Sequence, residues 1–258
     1  MNRLGLPGMS ASGHRTVSRR DPRVFRMAFL GLLVVPVVLT ALAACFLAFA
    51  PGTAAAPGDS PESTSVVWVT RAPGIIDPPL AGFLMKTMED AAAAGAAALV
   101  VEIDTPGGLD SSMRDIIQAE IDSPIPVVFY VSPQGARAAS AGLYILMGAD
   151  VAAMAPQTNL GAATPVSMGE EMDEVMEAKV TNDAAAYIRG LASAHQRNAD
   201  WAEQAVREAV SLPAQEALEK EVVDFVAEDL TALLQAIDGH EIIPKDITLQ
   251  TAGAAVVE

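Results

Sequence analysis

Two short apolar stretches, AALVVEID (97–104) and IPVVFYV (125–131), constrain the fold of this chain more than any other feature. Each is apolar at consecutive positions and rich in β-branched residues, a pattern typical of strands that are buried on both faces of a sheet. A further β-rich run, SVVWVT, precedes them at 65–70, and segments with helical spacing separate the three runs at 78–95 and 111–121. Strands that alternate with helices predict an α/β domain with a mostly parallel sheet flanked by helices.

The remainder of the chain continues this alternation. In the helix over 78–95, we expect one apolar side formed by Leu80, Phe83, Leu84 and Met88. Later elements are expected, in chain order, as a helix over 140–147, a short strand over 150–155, helices over 171–194 and 199–209, a helix over 211–219 with a capping serine, a strand over 222–226 and a helix that ends near 238.

The first 50 residues predict export. Residues 1–26 hold six arginines and one acid, and residues 27–50 carry no charge over 24 positions, which is long enough to span a bilayer. Basic residues before an apolar run place the N-terminus in the cytoplasm and the rest of the chain outside it. The run is an uncleaved anchor, a signal peptide cut near 53–56, or a lipoprotein signal that ends at Cys45, and all three export the remainder of the chain.

These observations divide the chain into five parts. The stretch PGTAAAPGDSPEST is rich in proline, glycine and serine and has no periodicity, so it is interpreted as a linker. The parts are a basic N-terminal segment (1–26), a transmembrane anchor or signal sequence (27–50), the linker (51–64), a globular domain (65–240) and a C-terminal tail (241–258).

Charge and cysteine usage exclude several classes of function. Beyond residue 26 the chain holds 31 acidic against 10 basic side chains, and phosphate backbones repel so acidic a surface, which argues against nucleic acid as a partner. The only cysteine, Cys45, lies in the apolar run, so disulfides, a thiol nucleophile and a cysteine metal site are excluded from the exported part. Because the three histidines are widely separated, no metal site is predicted, and no cofactor either.

The stretch GARAASAGLYIL (135–146) contains one serine, Ser140, where a polar loop becomes an apolar helix. At a helix start its oxygen would lie near unpaired backbone amides and the positive end of the helix dipole, as a catalytic nucleophile requires. Its small neighbours, Ala141 and Gly142 among them, would leave room for a substrate backbone. The alternative is that Ser140 only caps the helix.

The turn DTPGGL (104–109) follows a buried strand, at the edge of a parallel sheet where ligands bind. Two successive glycines, Gly107 and Gly108, can direct backbone N–H groups at a developing oxyanion without interference from a Cβ. Asp104 is expected to end the strand and to stabilise the turn rather than to take part in chemistry. An ordinary strand-to-helix turn is the alternative.

A serine nucleophile needs a base, and the residues offer two candidates. His195 lies at the end of a polar helix, where a solvated histidine is expected. Lys179 is the only lysine between Lys86 and Lys220. A lysine can act as a base when burial favours its neutral form, and a solvated surface lysine is the alternative interpretation of Lys179.

Four separated blocks of the sequence occur in the order found in one known family. They are IDTPGGLDSSMRDIIQ, SPIPVVFYVSPQGARAASAGLYILMGAD, MAPQTNLGAATPV and KVTNDAAAYIRGLA. Together they resemble the N-terminal protease domain of the NfeD family, membrane-bound serine proteases of the ClpP class that are more distantly similar to signal peptide peptidase A. The resemblance covers roughly residues 65–238 and implies a ClpP/crotonase-like spiral, with a ClpP-class serine protease domain over 65–240.

The resemblance also implies a role for individual residues. Ser140 matches the family's nucleophile and Lys179 its lysine base, which makes a Ser–Lys dyad. The oxyanion donors would be the backbone N–H groups of Gly108 and Ala141. Substrate contacts are expected at Gly107, Gly142 and Tyr144.

The implied function is that of a membrane-associated serine endopeptidase that cleaves apolar segments of membrane proteins, typically near the C-terminus of a stomatin-like partner. The expected location is the cell membrane with the protease domain on the extracytoplasmic side, and the expected assembly is a homodimer or larger. One alternative is a non-proteolytic scaffold that binds a stomatin-like membrane protein and retains the dyad residues. Another is a crotonase-type acyl-CoA enzyme, against which export argues because acyl-CoA is cytoplasmic.

Overall fold

Ala98–Asp104 and Val127–Val131 are adjacent parallel strands near the centre of a six-stranded sheet. Every side chain of the second strand is buried, and on the first only Glu102 and Asp104 are not. Burial on both faces explains why the sequence is apolar at consecutive positions. The prediction of an α/β domain with a mostly parallel sheet flanked by helices is confirmed.

The computed structural model describes residues 65–166, Gly169 and 173–258. The predictions for residues 1–64, including the apolar run and the linker, lie outside the described residues. Within the described part of the chain, no helix combines the length and apolar character needed to cross a bilayer. The elements are, in chain order, β1 (Val66–Pro73), α1 (Pro78–Ala93), β2 (Ala98–Asp104), α2 (Asp110–Asp122), β3 (Val127–Val131), β4 (Arg137–Ala139), α3 (Ala141–Gly148), β5 (Val151–Met154), β6 (Asn159–Gly161), α4 (Glu174–Ala194), α5 (Ala199–Arg207), β7 (Ser211–Pro213), α6 (Ala214–Glu219), β8 (Phe225–Val226), α7 (Leu230–Ala236), β9 (Glu241–Ile242), a 3₁₀ turn (Ile243–Lys245), β10 (Ile247–Thr248) and β11 (Ala255–Val257).

The main sheet has the strand order β11-β1-β2-β3-β5-β8, and all neighbouring strands are parallel. A smaller sheet has the order β4-β6-β7, in which β6 and β7 are antiparallel. A single bridge between Thr105 and Ala138 connects the end of β2 to β4. This connection brings Ser140, the residue directly after β4, to the turn that follows β2.

Alternate residues of the central strands belong to two hydrophobic clusters, as the pleat of a sheet requires. Leu99 and Val101 lie in the larger cluster, which includes the buried faces of α1 to α5. Ala98 and Val100 lie in the smaller one, which includes α7. All eight residues of α3 are buried, so the helix that begins beside Ser140 is fixed on every side.

The buried side of α1 differs from the predicted one. Phe83, expected on that side, is 49% exposed. The helix instead buries Ala81, Leu84, Met88 and Ala91. The apolar stripe of a helix follows steps of three and four residues, and the row through Leu84 and Met88 continues to Ala81 and Ala91 rather than to Phe83.

The prediction that a serine caps a helix over 211–219 is wrong. Ser211 is the first residue of β7 and pairs with Gly161 of β6. Helix α6 begins only at Ala214 and follows Pro213, which makes no side-chain cap bond. The serine therefore pairs within a sheet, three residues before the first residue of the helix.

The segment 241–258, predicted as a tail, contributes three strands. β9 and β10 form an antiparallel hairpin, and β11 pairs in parallel with β1 at the edge of the main sheet. Between these strands the Lys245 ammonium donates to the Asp150 carboxylate and to the carbonyl oxygens of Glu120 and Ile125. Residues 241–257 are thus attached to the domain by backbone pairing and by one largely buried ion pair.

Candidate active site

Hydrogen bonds fix the turn after β2. The Asp104 carboxylate accepts from the Arg137 backbone N–H at 3.0 Å, which confirms the prediction that this acid stabilises the turn. The Gly107 N–H donates to the Thr105 hydroxyl at 3.0 Å. Gly107 has a φ of 113°, which favours glycine, so the shape of the DTPGGL turn depends on this residue.

Gly108 approaches Ile76 so closely that no side chain fits between them. A Cβ on Gly108 would lie 2.1 Å from the Ile76 carbonyl oxygen. The Ile76 N–H donates to the Gly107 carbonyl, and the Leu109 N–H donates to the Ile76 carbonyl. Because the residues on either side of Gly108 make these bonds, the Gly108 N–H points away from Ile76, and Gly108 lines a cavity.

Ser140 has a strained backbone. Its φ of 54° and ψ of −120° lie outside the regions that L-residues ordinarily occupy. The Ser140 N–H donates to the Gly161 carbonyl at 3.0 Å. Its side chain makes no cap bond to α3, so the alternative that Ser140 only caps the helix is wrong. Strain of this kind is concentrated at functional sites, where it is maintained by the surrounding structure.

The small residues around Ser140 allow close packing. A Cβ on Gly107 would lie 2.6 Å from the Ser140 Cβ, so this glycine lets the serine side chain approach the turn. A Cβ on Gly142 would lie 2.5 Å from the Thr105 Cγ2. Gly142 is buried and does not line the cavity, and its small size allows the contact between α3 and the end of β2.

A cavity of about 300 Å³ opens at Ser140. Tyr144, one turn further along α3, lines it, and its hydroxyl donates to the Ala163 carbonyl at 3.2 Å. Burial raises the pKa of Tyr144, so its hydroxyl stays protonated and neutral. The backbone N–H of Ala141, the first residue of α3, is one of the groups that a helix leaves without an acceptor. The lining is mostly apolar and consists of Gly108, Leu109, Asp110, Met113, Ser140, Ala141, Tyr144, Ala163, Pro165, Val166 and Ala184.

Lys179 lies in a second cavity of about 490 Å³, not in the cavity of Ser140. The two cavities adjoin because they share four lining residues: Asp110, Pro165, Val166 and Ala184. The side chain of Lys179 is exposed on the first half of α4. The burial that a lysine base needs is therefore not supplied by the described part of this chain on its own.

His195 is not solvated, contrary to the prediction. It ends α4, is partly buried, and lines a different cavity with Asp150 and Asp224. Burial, reinforced by the charge of Arg197, lowers the pKa of His195 to about 4. The histidine is therefore neutral in the folded protein and separate from the cavity of Ser140.

Acid is expected to destabilise the fold through His195. Its folded-state pKa of about 4 lies below the ordinary value of about 6.5, so the unfolded chain binds the proton more readily between these limits. The contribution to the free energy of unfolding is complete above pH 6.5 and decreases as the pH falls toward 4. Urea unfolding at pH 7.5 and pH 5 should show that His195→Gln removes about 1–2 kcal/mol of the wild-type loss. Equal losses in both proteins would contradict this assignment.

The contacts that join α2 to α4 beside the cavity of Lys179 were not identified from the sequence. Arg114 of α2 bonds to Asp110 and Asp183, and its guanidinium lies over the ring of Tyr187. The signal that could have revealed them is the four-residue spacing of Lys179, Asp183 and Tyr187, which puts the three on one face of α4.

Curated proteins that are similar to this chain include a membrane-bound protease. "Membrane-bound protease PH1510" of Pyrococcus horikoshii is 43% identical over 146 residues, which is 56% of this chain and 33% of the relative. The chain therefore matches about a third of the length of that protein.

Solved structures of 1510-N, described as a membrane-bound stomatin-specific protease, are similar in fold. One is a serine-to-alanine mutant with a TM-score of 0.70 and 34% identity, over 76% of this chain and 97% of that one. Another is a lysine-to-alanine mutant in complex with a substrate peptide, with a TM-score of 0.71 and 35% identity, over 76% of this chain and 92% of that one. This similarity confirms the predicted ClpP-like fold.

The family model described as "NfeD1b, N-terminal domain" matches residues 66–236. This range includes both glycines of the turn after β2, the strained serine and helix α4. Its limits agree with the 65–238 over which the sequence resembles NfeD proteins. The chain belongs to the family of NfeD1b N-terminal domains.

Proposed function

We propose that this protein is a membrane-associated serine endopeptidase with a Ser–Lys dyad. Ser140 is the nucleophile and Lys179 the base, and the backbone N–H groups of Gly108 and Ala141 are the oxyanion donors. The substrate is an apolar segment of a membrane protein, and a stomatin-like protein is the proposed partner. Relatives described as a membrane-bound protease and as a stomatin-specific protease support this choice.

The observation that carries the proposal is the conformation of Ser140. A φ of 54° at a serine strains the backbone of the folded state, and without a cap bond this strain has no evident structural benefit. Its position at the mouth of an apolar cavity, between the amide of Ala141 and the glycine turn, matches the needs of acyl transfer. A nucleophile, two donors and a groove are then within one site.

Exposed apolar side chains at the cavity and at the start of α4 support the proposed substrate. Leu109 and Val166 line the cavity and are 39% and 78% exposed. Val175 and Met176, at the start of the lysine-bearing helix, are 65% and 47% exposed. An apolar peptide that covers these side chains would remove them from water, a favourable term in its binding.

The proposed reaction proceeds through an acyl-enzyme. The Ser140 oxygen attacks the peptide carbonyl carbon while its proton passes to the neutral Lys179 amine. The N–H groups of Gly108 and Ala141 donate to the oxyanion, and the C–N bond breaks as Lys179 returns the proton to the leaving amine. Water then attacks the ester carbon, gives a proton to Lys179, and the Ser140 oxygen recovers that proton on release of the acid.

Because Lys179 is exposed, the bound substrate would have to supply the burial that a lysine base requires. Lysines in water are protonated near neutral pH, and desolvation favours the neutral form that a base requires. We propose that the bound apolar segment lies over Val166 and the first half of α4 and thereby excludes water from Lys179. The base would then be active only when substrate is present.

The remaining features of the proposal concern location and assembly. We propose a cell-membrane location with the protease domain on the extracytoplasmic side, based on the charge pattern of residues 1–50. A homodimer or larger assembly stays a prediction.

One observation favours a second candidate function, a non-proteolytic scaffold for a stomatin-like membrane protein. Ser140 and Lys179 line separate, adjoining cavities. A protein that only binds its partner would not need to bring them together.

The two functions are distinguished by a covalent probe. The full chain in detergent micelles is treated with a fluorophosphonate, and labelled peptides are mapped by mass spectrometry alongside cleavage of a panel of apolar peptides. A protease is labelled at Ser140 and cuts the panel. Absence of both labelling and cleavage, together with capture of a purified stomatin-like protein, would transfer the assignment to the scaffold.

A further inference from the structure

Arg114 lines the cavity of Lys179 and bonds to two helices. Its Nε donates to the Asp110 carboxylate at 2.9 Å, in the first turn of its own helix α2. Its Nη2 donates to the Asp183 carboxylate of α4 at 3.0 Å. The guanidinium carbon lies 4.3 Å from the centre of the Tyr187 ring, also on α4. One side chain therefore makes three contacts, two of them to α4.

The contacts continue to the helix of the nucleophile. Tyr187 stacks on Tyr144 with 6.2 Å between ring centres and 21° between ring planes. Tyr144 is four residues after Ser140, on the buried helix α3. A set of contacts thus runs from Tyr144, one turn after Ser140, through Tyr187 to Arg114.

Lys179 lies on α4 but outside this set of contacts. The residues of α4 from Glu174 to Lys179 are exposed, and its buried residues begin at Ala184. Asp183 follows Lys179 by one helical turn, so the bond from Arg114 is made beside the lysine. Within the described residues, this bond joins the first half of α4 to α2.

We propose that Arg114 is a positioning residue that holds the helix of Lys179 at the correct angle to Ser140. The inference rests on the proposed Ser–Lys function. Without Arg114 the carboxylates of Asp110 and Asp183 face each other unpaired, and their repulsion moves α4 away from α2. Misplacement of a catalytic group by about 1 Å can cost about 10²-fold in rate.

Lysine cannot replace this arginine. A planar guanidinium forms bonds in two directions and stacks on a tyrosine ring at the same time, whereas an ammonium is a point charge on a flexible stem. Arg114→Lys keeps the charge but loses the fixed geometry. Removal of the repulsion by Asp183→Asn in the Arg114→Ala background is expected to recover part of the rate.

Arg189 provides a matched control. It lies on α4, the helix of Lys179, and its side chain is 42% exposed against 39% for Arg114. Like Arg114 it bonds two carboxylates, those of Asp200 and Glu203. These partners connect α4 to α5, away from both cavities. Exposed ion pairs of this kind contribute little to stability, so both arginine variants should fold.

The test compares steady-state cleavage of an apolar peptide by the full chain. Arg114→Ala is expected to lower kcat about 10- to 100-fold with KM changed less than about 3-fold, Arg114→Lys to recover less than half of the loss, and Arg189→Ala to leave kcat within about 2-fold. Equal losses in Arg114→Ala and Arg189→Ala, or a rise in KM at constant kcat, would overturn the inference. If Arg114→Ala keeps full kcat while Lys179→Ala is inactive, the positioning role of Arg114 is wrong and the Ser–Lys dyad stands. If Lys179→Ala keeps full kcat, the dyad itself is wrong.

Discussion

Replacement of Ser140 by alanine is expected to reduce the rate of peptide cleavage by about 10⁴- to 10⁶-fold, since the residual rate would come only from the oxyanion donors and binding. The Ser140 side chain makes no cap bond. Alanine tolerates a φ of 54° about as poorly as serine, so the folded state should change little in free energy. Initial rates with an apolar peptide, and thermal unfolding of both proteins, measure the two quantities.

Lys179→Ala is expected to lower the same rate by about 10²- to 10⁴-fold, the usual contribution of a general base. The matched control is Lys86→Ala, because Lys86 is also an exposed helical lysine but pairs with Asp90 on α1. Unchanged cleavage by Ser140→Ala would place the reaction elsewhere in the chain. If Lys179→Ala and Lys86→Ala were equally active, the base would have to be another group, and the exposure of Lys179 would need no covering by substrate.

The main sheet was predictable because the amino-acid composition of its central strands alone indicates burial on both faces. The strands β2 and β3 are apolar at consecutive positions, and burial on both faces of a parallel sheet requires that composition. The short strand β8 lies within the strand predicted over 222–226, whereas β11 was not predictable in the same way. β11 has three exposed residues and exists because β1 offers a free edge, and only the folded chain shows that the two meet.

The site was predictable as a set of residues but not as a geometry. The small residues around Ser140 indicated a helix start, yet its positive φ is imposed by contacts distant in sequence, such as the bond from its N–H to Gly161. The sequence also does not reveal that Thr105 fills the space where a Cβ on Gly142 would be. The relation of Lys179 to the cavity likewise depends on the packing of α4 and not on the sequence around the lysine.

Arg197→Met is expected to lower the free energy of unfolding by about 3–5 kcal/mol, the cost of removing one member of a buried ion pair. The Arg197 side chain is 1% exposed and donates to the Asp224 carboxylate at 2.6 Å and 3.1 Å. It also donates to the carbonyl oxygens of Leu146 and Met147 at 3.1 Å, in the last turn of α3. The variant leaves a carboxylate and two carbonyls without this donor, and urea unfolding at pH 7 measures the loss.

The double variant Arg197→Met/Asp224→Leu separates an unpaired charge from lost packing. Apolar side chains of similar volume often replace a buried ion pair at little cost, so the double variant should recover much of the stability that Arg197→Met loses. Recovery stays incomplete, because Asp224 also accepts from the Ala152 N–H at 2.7 Å and the carbonyls of α3 lose a cation at the negative end of the helix. If the double variant were less stable than Arg197→Met, Asp224 would stabilise the fold through contacts other than its ion pair with Arg197. Ser140 lies at the other end of α3. Loss of the Arg197 bonds to this helix should therefore also reduce the rate of cleavage under conditions in which the protein is still folded.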